Sequence, residues 1–372
     1  MTQKTFVAGM LATGALLASQ TAAAVTLYET VEDKLTFSGR IAAGSTFVDD
    51  VSDDHDPTNA GSRVRLIHEH NFQGGWTSIA RAEWGFDPFF EDGDDAHYKR
   101  MLYAGASHDE YGTVLIGKQY SLWYDMVAYW TDWMWYNGAS AQGSFNGRQS
   151  DGGFEGNGRP DNAITYKNNV GDWTLGAMYQ TSRDAPDESG YYDDGLHRDK
   201  TFQGAAVYQP TDEWAFGLTY THSSIDGERD GDTDEIDVDA GLVAARWTPG
   251  NWYFALTAGE YKNLVRDFNR GADDDRANTN GIVDRARGYE AVALYNVVDQ
   301  TPGTVQLYTG YNSLRDRDSD AESAYYVAGA AWLLFEDNLI LALEQKFDDS
   351  NDTLGNDDAY HDETDLLVRY NF

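Results

Sequence analysis

The 372-residue chain contains no cysteine, and 62 acidic against 27 basic residues give a formal net charge of −35 at pH 7. The lack of thiols excludes disulfides, a thiolate nucleophile and a cysteine-ligated metal, and the strong negative charge disfavours a nucleic-acid partner, since such binding depends on Lys and Arg neutralising phosphates. No apolar run reaches the roughly 20 residues of a membrane-spanning helix, whereas 14% aromatic residues are too many for a disordered acidic chain.

The first 24 residues are typical of a secretory signal peptide. Lys4 supplies the basic start, Phe6–Ala18 forms a short apolar run, and Ala22–Ala24 offers a small-residue cleavage site. A membrane anchor is the alternative, but the apolar run is shorter than a spanning helix requires. We therefore predict export of the chain and a single mature domain over residues 25–372.

Beyond the predicted signal peptide, polarity alternates with a period of two over segments of about ten residues, which is typical of β-strands. In the segment 214–221 every second residue is apolar or aromatic, and the residues between them are small or polar. A soluble sandwich would also alternate, but the connections here alternate between short turns and long, acid-rich segments. This layout predicts an all-β fold, a transmembrane antiparallel β-barrel with short periplasmic turns and long extracellular loops.

About sixteen strands are predicted, and a barrel of that size leaves an aqueous lumen rather than a packed core. In hydrocarbon every backbone N–H and C=O must be paired, so the sheet is expected to close on itself. The approximate strand bounds are Leu35–Val48, Arg63–Phe72, Thr77–Phe86, Lys99–Ser107, Thr113–Ser121, Asn162–Asn168, Trp173–Thr181, Thr201–Tyr208, Trp214–Ser223, Val238–Thr248, Asn251–Lys262, Gly288–Val298, Thr304–Leu314, Ala324–Leu334, Leu339–Phe347 and Glu363–Phe372.

The longest connection without strand character, Leu122–Pro160, is predicted to fold inward and narrow the lumen. Seven aromatic residues between Trp123 and Tyr136 argue against disorder, and a loop of this length in a compact protein is usually functional or disordered. An external lid is the alternative placement. The same aromatic residues could stack sugars, which would make the channel substrate-selective, or they could simply pack the loop against the barrel wall.

Several short motifs occur in a definite order along the chain. They are, in sequence, Val25–Tyr28, Lys34–Arg40, Ser62–Leu66, Arg81–Trp84, Arg100–Gly105, Gly112–Tyr120, Tyr124–Asp125, Gly158–Arg159, Ala163–Asn168 and the terminal Phe372. In this order and spacing the motifs resemble those of the general diffusion porins of Gram-negative outer membranes, over essentially the whole mature length. Tyr370 and Phe372, with the alternating apolar positions before them, resemble the signal that the outer-membrane assembly machinery reads.

The resemblance implies a sixteen-stranded barrel, usually a homotrimer, whose third long loop folds into the lumen and faces a basic cluster on the wall. The basic positions carry over to Arg40, Arg63, Arg100 and Arg159, and Arg81 and Glu83 stand where the family has polar wall residues. Strand alternation independently puts four of these, Arg63, Arg81, Glu83 and Arg100, on polar faces of adjacent strands. Ordinary cross-strand pairs, Arg63–Glu83 or Arg81–Glu69, are the alternative.

The predicted inward loop departs from the family pattern, because Trp133–Gly138 replaces the usual Pro-Glu-Phe-Gly-Gly turn. The family's loop acids therefore cannot be transferred, and Asp125, Asp132, Asp151 and Glu155 are candidates on composition only. The expected partners are outer-membrane lipid and lipopolysaccharide, the barrel assembly machinery, a homotrimer, and small hydrophilic solutes and ions. The sign of ion selectivity stays open: the acidic loops slightly favour cations at low salt, whereas the arginines favour anions.

One acidic segment, Asp226–Asp237, resembles an EF-hand calcium loop, with Asp226, Glu228, Asp230 and Asp237 in ligand positions. Strands rather than helices are predicted to flank it, and Asp replaces the bidentate Glu, so a solvated acidic loop is the preferred interpretation. No other metal and no cofactor is predicted. The chain also lacks a G-x-S-x-G elbow, so a non-enzymatic channel is expected, and the acidity suggests a salt-tolerant, marine or halophilic source.

Overall fold

The computed structural model describes residues 24–48, 56–89, 97–185, 195–229, 232–266, 282–300, 302–355, 357 and 361–372. Apart from Ala24, the predicted signal peptide lies outside these residues. The strands are, in chain order, β1 (Val25–Glu29), β2 (Asp33–Val48), β3 (Thr58–Asn59), β4 (Arg63–Asn71), β5 (Trp76–Phe86), β6 (His97–His108), β7 (Gly112–Lys118), β8 (Ala163–Val170), β9 (Trp173–Gln180), β10 (Arg183–Ala185), β11 (Leu196–Tyr208), β12 (Trp214–Arg229), β13 (Asp232–Trp247), β14 (Trp252–Lys262), β15 (Arg285–Gln300), β16 (Gly303–Asp316), β17 (Glu322–Leu334), β18 (Leu339–Asp348) and β19 (Glu363–Asn371).

Sixteen of these strands form a closed antiparallel ring, which confirms the predicted barrel. Along the ring β2 pairs with β4, β9 pairs with β11, and the last strand, β19, returns to pair with β2. The short strands β1, β3 and β10 add to the ends of the ring strands. A ring without edges gives each backbone donor and acceptor of its strands a partner on a neighbouring strand, as hydrocarbon requires.

The predicted alternation separates an apolar outer face from a polar inner face. On β12, Leu218 is 55% exposed on the outside, while the next residue, Thr219, is fully buried inside. Near the short turns, Trp214, Trp247 and Phe254 stack across three adjacent strands, with ring centroids 5.3 and 5.4 Å apart. Such an outward aromatic row is typical of the girdle that a membrane barrel places at the lipid–water interface.

The last residue of the chain completes the ring. Phe372 exchanges backbone hydrogen bonds with Gly39 of β2, at N···O distances of 3.0 and 2.6 Å, and its ring centroid lies 5.7 Å from that of Phe37. A Cβ on Gly39 would lie 2.6 Å from both the Phe372 ring and the carbonyl oxygen of Arg63. The close approach of the Phe372 ring and of the β4 backbone to Gly39 therefore requires glycine at this position.

The hairpin β12–β13 differs from the predicted acidic loop. Asp226 pairs with Glu235 and Arg229 pairs with Asp232, so the two strands run to within two residues of each other. Asp237 stands opposite Ser224, displaced along the ladder from Asp226 and Glu228, whereas EF-hand ligands curl around one cation. Asp230 lies outside the described residues, and no group of three His, Asp or Glu side chains within the described ranges forms a metal site.

Residues 119–162, between β7 and β8, lie inside the barrel and are called the inward loop below. They begin with a π-helical turn, Trp123–Val127, and a 3-10 turn, Ala128–Thr131. These turns contact the inner faces of β11 to β15, and Trp123, Val127 and Ala128 are fully buried there. Within the described ranges, no helix has both the length and the apolar character needed to cross a membrane.

Replacing Phe372 by Ala should weaken closure of the ring, because the contact with Phe37 is lost while the backbone bonds to Gly39 remain. We expect a loss of about 1–2 kcal/mol for this half-buried ring, measured by unfolding of protein refolded into detergent. Tyr370→Ala, which removes an outward ring, should cost less in detergent. If Phe372→Ala is as stable as the parent protein, the ring contact does not contribute to closure.

Candidate functional site

Four arginine side chains surround one carboxylate on the inner faces of β4 to β6. Glu83 is fully buried. Its Oε2 accepts hydrogen bonds from Arg65 Nε at 2.8 Å and Arg81 Nη2 at 2.6 Å, and its Oε1 lies 2.9 Å from Arg100 Nε and 3.5 Å from Arg63 Nη1. The two-residue period of a strand produces this arrangement, since Arg63 and Arg65 both face inward on β4 and Arg65 stands directly opposite Glu83.

Arg100 reaches Glu83 because β6 carries a β-bulge. The register between β5 and β6 shifts so that Glu83 pairs with Met101 and Trp84 pairs with Lys99, which leaves Arg100 as the extra residue. A bulge bends its strand and redirects a side chain. Here the redirected guanidinium points into the lumen and donates to Glu83.

The cluster around Glu83 has more positive than negative charge. A buried carboxylate remains charged only with a full set of donors, and the four guanidinium groups supply it. One carboxylate cannot neutralise four arginines, whose side chains remain 8–11% exposed. The alternative pairs expected from the sequence are only partly present: Arg63 contacts Glu83, but Arg81 bonds to Glu83 rather than to Glu69.

Two more arginines extend this surface across the closing seam of the ring. Arg40 on β2 stands opposite Arg63, and Arg369 on β19 pairs with Ala42 of β2 and faces inward. We call the six residues the arginine wall: Arg40, Arg63, Arg65, Arg81, Arg100 and Arg369. Sequence reasoning did not select Arg65 or Arg369, although strand alternation placed Arg369 on a polar face and put Arg65 two residues from Arg63.

The four loop acids proposed from composition divide into two kinds. Three of them, Asp125, Asp151 and Glu155, pair with cations of their own, which are Lys167, Lys118 and Arg148 respectively. Asp132 instead accepts a hydrogen bond from the Tyr124 hydroxyl at 2.5 Å. In the described part of the chain, no ion pair within 4 Å joins any of the four to the arginine wall.

Asp132 is nevertheless the loop acid whose pKa is affected by charges of the arginine wall. Burial raises the pKa of Asp132, and the hydrogen bond from Tyr124 and the charges of Arg40 and Arg63 offset this only in part. At Tyr120, burial alone would raise the pKa of the phenol, but the charges of Arg63 and Arg100 outweigh it and the pKa is lowered. At both groups the charges of the arginines favour the ionised form, and at Tyr120 they outweigh burial.

The Asp151–Lys118 pair holds the base of the inward loop. Burial alone would raise the pKa of Asp151, but the charge of Lys118 and its hydrogen bond outweigh burial, so the pKa of this carboxyl is lowered. Arg159, at the loop exit, places its guanidinium 5.3 Å from the Phe145 ring centroid. It lies outside the Glu83 cluster, on the loop side of the lumen.

Three buried carboxylates on the inner faces of β15, β18 and β19 hold the inward loop in place: Glu290, Glu344 and Asp365. Glu344 on β18 accepts the backbone N–H groups of Tyr136 and Asn137, each at 2.9 Å. Asp365 on β19 accepts the side-chain amide of Asn137 at 2.6 Å. Glu290 on β15 accepts loop donors in the same way, from Thr131, Ala141 and Gln142. Sequence reasoning missed these anchors because their partners lie more than 140 residues away.

The loop's aromatic residues mostly pack it against the wall. Trp123 and Trp130 are 0% and 2% exposed, so their faces are covered by protein. Arg246 of β13 lies over Trp130, with its Cζ 5.1 Å from the ring centroid, and Arg369 lies over Trp135 at 5.3 Å. These contacts correspond to the packing alternative among the expectations for the loop.

A closed barrel with an apolar exterior, a charged lumen and a loop bonded across that lumen defines a membrane channel. A family profile described as Gram-negative porin matches residues 8–353. The chain is 24% identical over 380 residues to outer membrane protein YedS of Escherichia coli, with 96% of this chain and 97% of that protein covered.

Solved structures show the same fold. OmpF of Salmonella typhi, in complex with daunomycin, has a TM-score of 0.70 at 18% identity and covers 94% of this chain and 100% of its own. OmpT of Vibrio cholerae, in a trimer form, has a TM-score of 0.63 at 15% identity, with 92% and 100% covered. The chain belongs to the Gram-negative porin family and is an outer-membrane diffusion channel.

Replacing Glu83 by Gln should strongly destabilise the barrel, because four guanidinium groups lose their shared counter-charge. Breaking a buried ionic network in this way typically costs about 3–5 kcal/mol. Urea unfolding of the refolded protein measures the effect. Glu110→Gln, in the exposed turn between β6 and β7, is the matched control and should leave stability unchanged. Equal midpoints for the two variants would show that the cluster adds no net stability.

Replacing Glu344 by Ala should loosen the tip of the inward loop, since three hydrogen-bond donors of Tyr136 and Asn137 lose a charged acceptor. Because bonds to charged groups contribute about 1.5–3 kcal/mol each, local opening should become at least roughly tenfold more frequent. Trypsin cleavage at Arg148 reports this opening. Glu336→Ala, on an exposed short turn, is the control. Unchanged cleavage rates would mean that other contacts hold the loop.

Proposed function

We propose that small hydrophilic solutes and ions diffuse passively through the slot between the arginine wall and the inward loop. The observation that supports this proposal is the arrangement of the lumen: the arginine wall extends from β19 to β6, and the inward loop is hydrogen-bonded to carboxylates on β15, β18 and β19. The proposed lining residues are Arg40, Arg63, Arg81, Glu83 and Arg100 on the wall, and Asp125, Asp132, Asp151, Glu155 and Arg159 on the loop side.

The physics of such a slot explains passage without chemistry. Charges on low-dielectric walls create a field across a narrow opening. Polar solutes align their dipoles in that field, whereas apolar solutes give up ordered water without a compensating contact. None of these steps breaks a bond, so the proposed channel is not an enzyme.

We infer that the protein acts as a homotrimer in the outer membrane after export directed by residues 1–24. The trimer is supported by the trimer form of the similar OmpT structure. Lipid and lipopolysaccharide would contact the outward apolar face, and Phe372 and Tyr370 would be read by the assembly machinery. The acidic connections would keep the surface hydrated at high salt, in keeping with a salt-tolerant source.

A sugar-selective channel receives less support from the loop. Sugar stacking needs open aromatic faces, and Trp123 and Trp130 are buried. Trp133 packs against Tyr253, with ring centroids 5.0 Å apart. Passive diffusion is therefore the preferred function.

Purified protein in a planar bilayer should show stable conductance steps that occur in groups of three and do not saturate with salt. The reason is that each protomer holds its own water-filled lumen. Inserted protein is verified by its heat-dependent gel mobility. Verified, inserted protein without current would refute the open channel, and single unit steps would refute the trimer.

A further inference from the structure

Five glycines on the inner faces of the barrel strands lie directly beneath the inward loop. A glycine inside a strand weakens that strand, because it has no side chain to pack, and it often marks a place where another part of the chain approaches closely. Here the approaching part is the inward loop in each case. We call these five residues the glycine sockets: Gly44 on β2, Gly176 on β9, Gly217 on β12, Gly288 on β15 and Gly310 on β16.

The aromatic ring of Tyr136 occupies the socket at Gly44. A Cβ added at Gly44 would overlap the edge of this ring and lie 3.2 Å from its Cζ. The tyrosine is held at both ends, since its backbone N–H donates to Glu344 at 2.9 Å and its hydroxyl accepts from Thr46 Oγ1 at 3.2 Å. A side chain at Gly44 would therefore have to displace the aromatic ring away from β2.

Two further sockets hold apolar residues from the start of the inward loop. A Cβ at Gly217 would lie 3.1 Å from Val127 and 3.2 Å from Trp130, and a Cβ at Gly176 would lie 2.9 Å from Leu122. All three loop side chains are buried. The π-helical and 3-10 turns therefore sit in depressions left by absent wall side chains, close to the backbone of the strands.

The sockets on β15 and β16 contact a later part of the inward loop. At Gly288 the neighbour is backbone, because a Cβ there would overlap the carbonyl oxygen of Ala141. At Gly310 the neighbour is Met134, whose Cε would lie 2.9 Å from a Cβ. The flexible end of a methionine can adapt to an added methyl group, whereas a backbone carbonyl moves only with the loop. A methyl group would therefore displace the loop more at Gly288 than at Gly310.

We propose that the glycine sockets set how closely the inward loop lies against the barrel wall, and thereby the width of the lumen and the size limit of the solutes that pass. This inference rests on the proposed diffusion function and identifies residues that determine its selectivity by size. The diameter of a pore is one of the properties that decide which solutes it admits. The sockets are covered by the loop, so they are positioning residues that act through it.

A methyl group in a socket would act as a spacer between wall and loop. Carbon atoms in contact lie about 3.5–4.0 Å apart, so a Cβ at Gly44 would require the aromatic ring of Tyr136 to move by roughly 1 Å. Close-packed protein does not absorb such a shift without displacing neighbouring atoms. Because the loop lies between the wall and the lumen, the displacement narrows the lumen.

The test compares the rates at which liposomes containing wild-type or variant protein swell in arabinose and in sucrose. Both sugars are uncharged, so the rate ratio reports size and not the charge of the lumen. Gly44→Ala should lower the sucrose-to-arabinose ratio by about twofold or more, because the larger sugar is affected more by a narrower pore. Gly204→Ala is the matched control and should leave the ratio unchanged, since no atom lies within 4 Å of a Cβ added at this glycine of β11.

A double-mutant cycle with Tyr136 distinguishes the steric contact from a general effect of alanine in β2. In a Tyr136→Ala background the aromatic ring no longer fills the socket, so Gly44→Ala should leave the sucrose-to-arabinose ratio of that background unchanged. Gly217→Ala adds a methyl group with a milder overlap. It should lower the ratio by less than Gly44→Ala, and it provides the measurement if Gly44→Ala does not fold.

The outcomes separate this inference from the proposed function. A wild-type ratio in the folded socket variants, or an equal drop caused by Gly44→Ala with and without Tyr136, would overturn the role of the sockets and leave the diffusion channel intact. Absence of swelling in both sugars with folded, inserted wild-type protein would instead overturn the channel itself. Heat-dependent gel mobility of each variant confirms that a changed ratio does not come from misfolded barrels.

Discussion

The backbone hydrogen bonds between the strands have to form a closed ring. A strand edge in hydrocarbon leaves unpaired N–H and C=O groups, each of which costs several kcal/mol, so β19 must find β2 at the end of the chain. That closure also builds the site. Arg369 and Arg40 are more than 300 positions apart in the sequence, yet the seam makes them neighbours on one inner face. The arginine wall is therefore a product of ring closure and not of any local motif.

The inward loop is subject to the same requirement that buried backbone polar groups be hydrogen-bonded. A long segment inside a barrel brings its own backbone donors with it, and these need acceptors. Glu344 and Glu290 provide them as buried carboxylates on the wall. Each carboxylate is in turn stabilised by several donors, which makes its burial tolerable. The loop is thus bonded to β15, β18 and β19, and its Trp135 also packs under Arg369 of the arginine wall.

Much of the fold could be predicted from the sequence because the two-residue period is strong and repeated. All sixteen ring strands overlap their predicted segments. The same period placed Arg63, Arg81, Glu83 and Arg100 on inner faces. It could not show that Arg65, rather than Arg63, stands opposite Glu83, because that depends on the register of β4 against β5. Nor could it show the seam that brings Arg369 to Arg40, or the local cations that pair with Asp125, Asp151 and Glu155.

At the hairpin β12–β13 the composition predicted a loop, whereas the structure has two paired strands. Acidic residues are rare in buried strands, so Asp226–Asp237 reads as a loop, yet strand preference depends on surroundings more than on residue type. Where a hairpin extends into water, the strand ladder continues with acidic side chains.

The effect of a charge also depends on its surroundings. The chain's net charge of −35 is spread along the whole sequence, and salt screens exposed charges beyond about 10 Å, whereas the arginine wall gathers positive charge on the inner faces of β19, β2 and β4 to β6. The total charge of the chain therefore does not predict the sign of the charge on the inner face of the arginine wall.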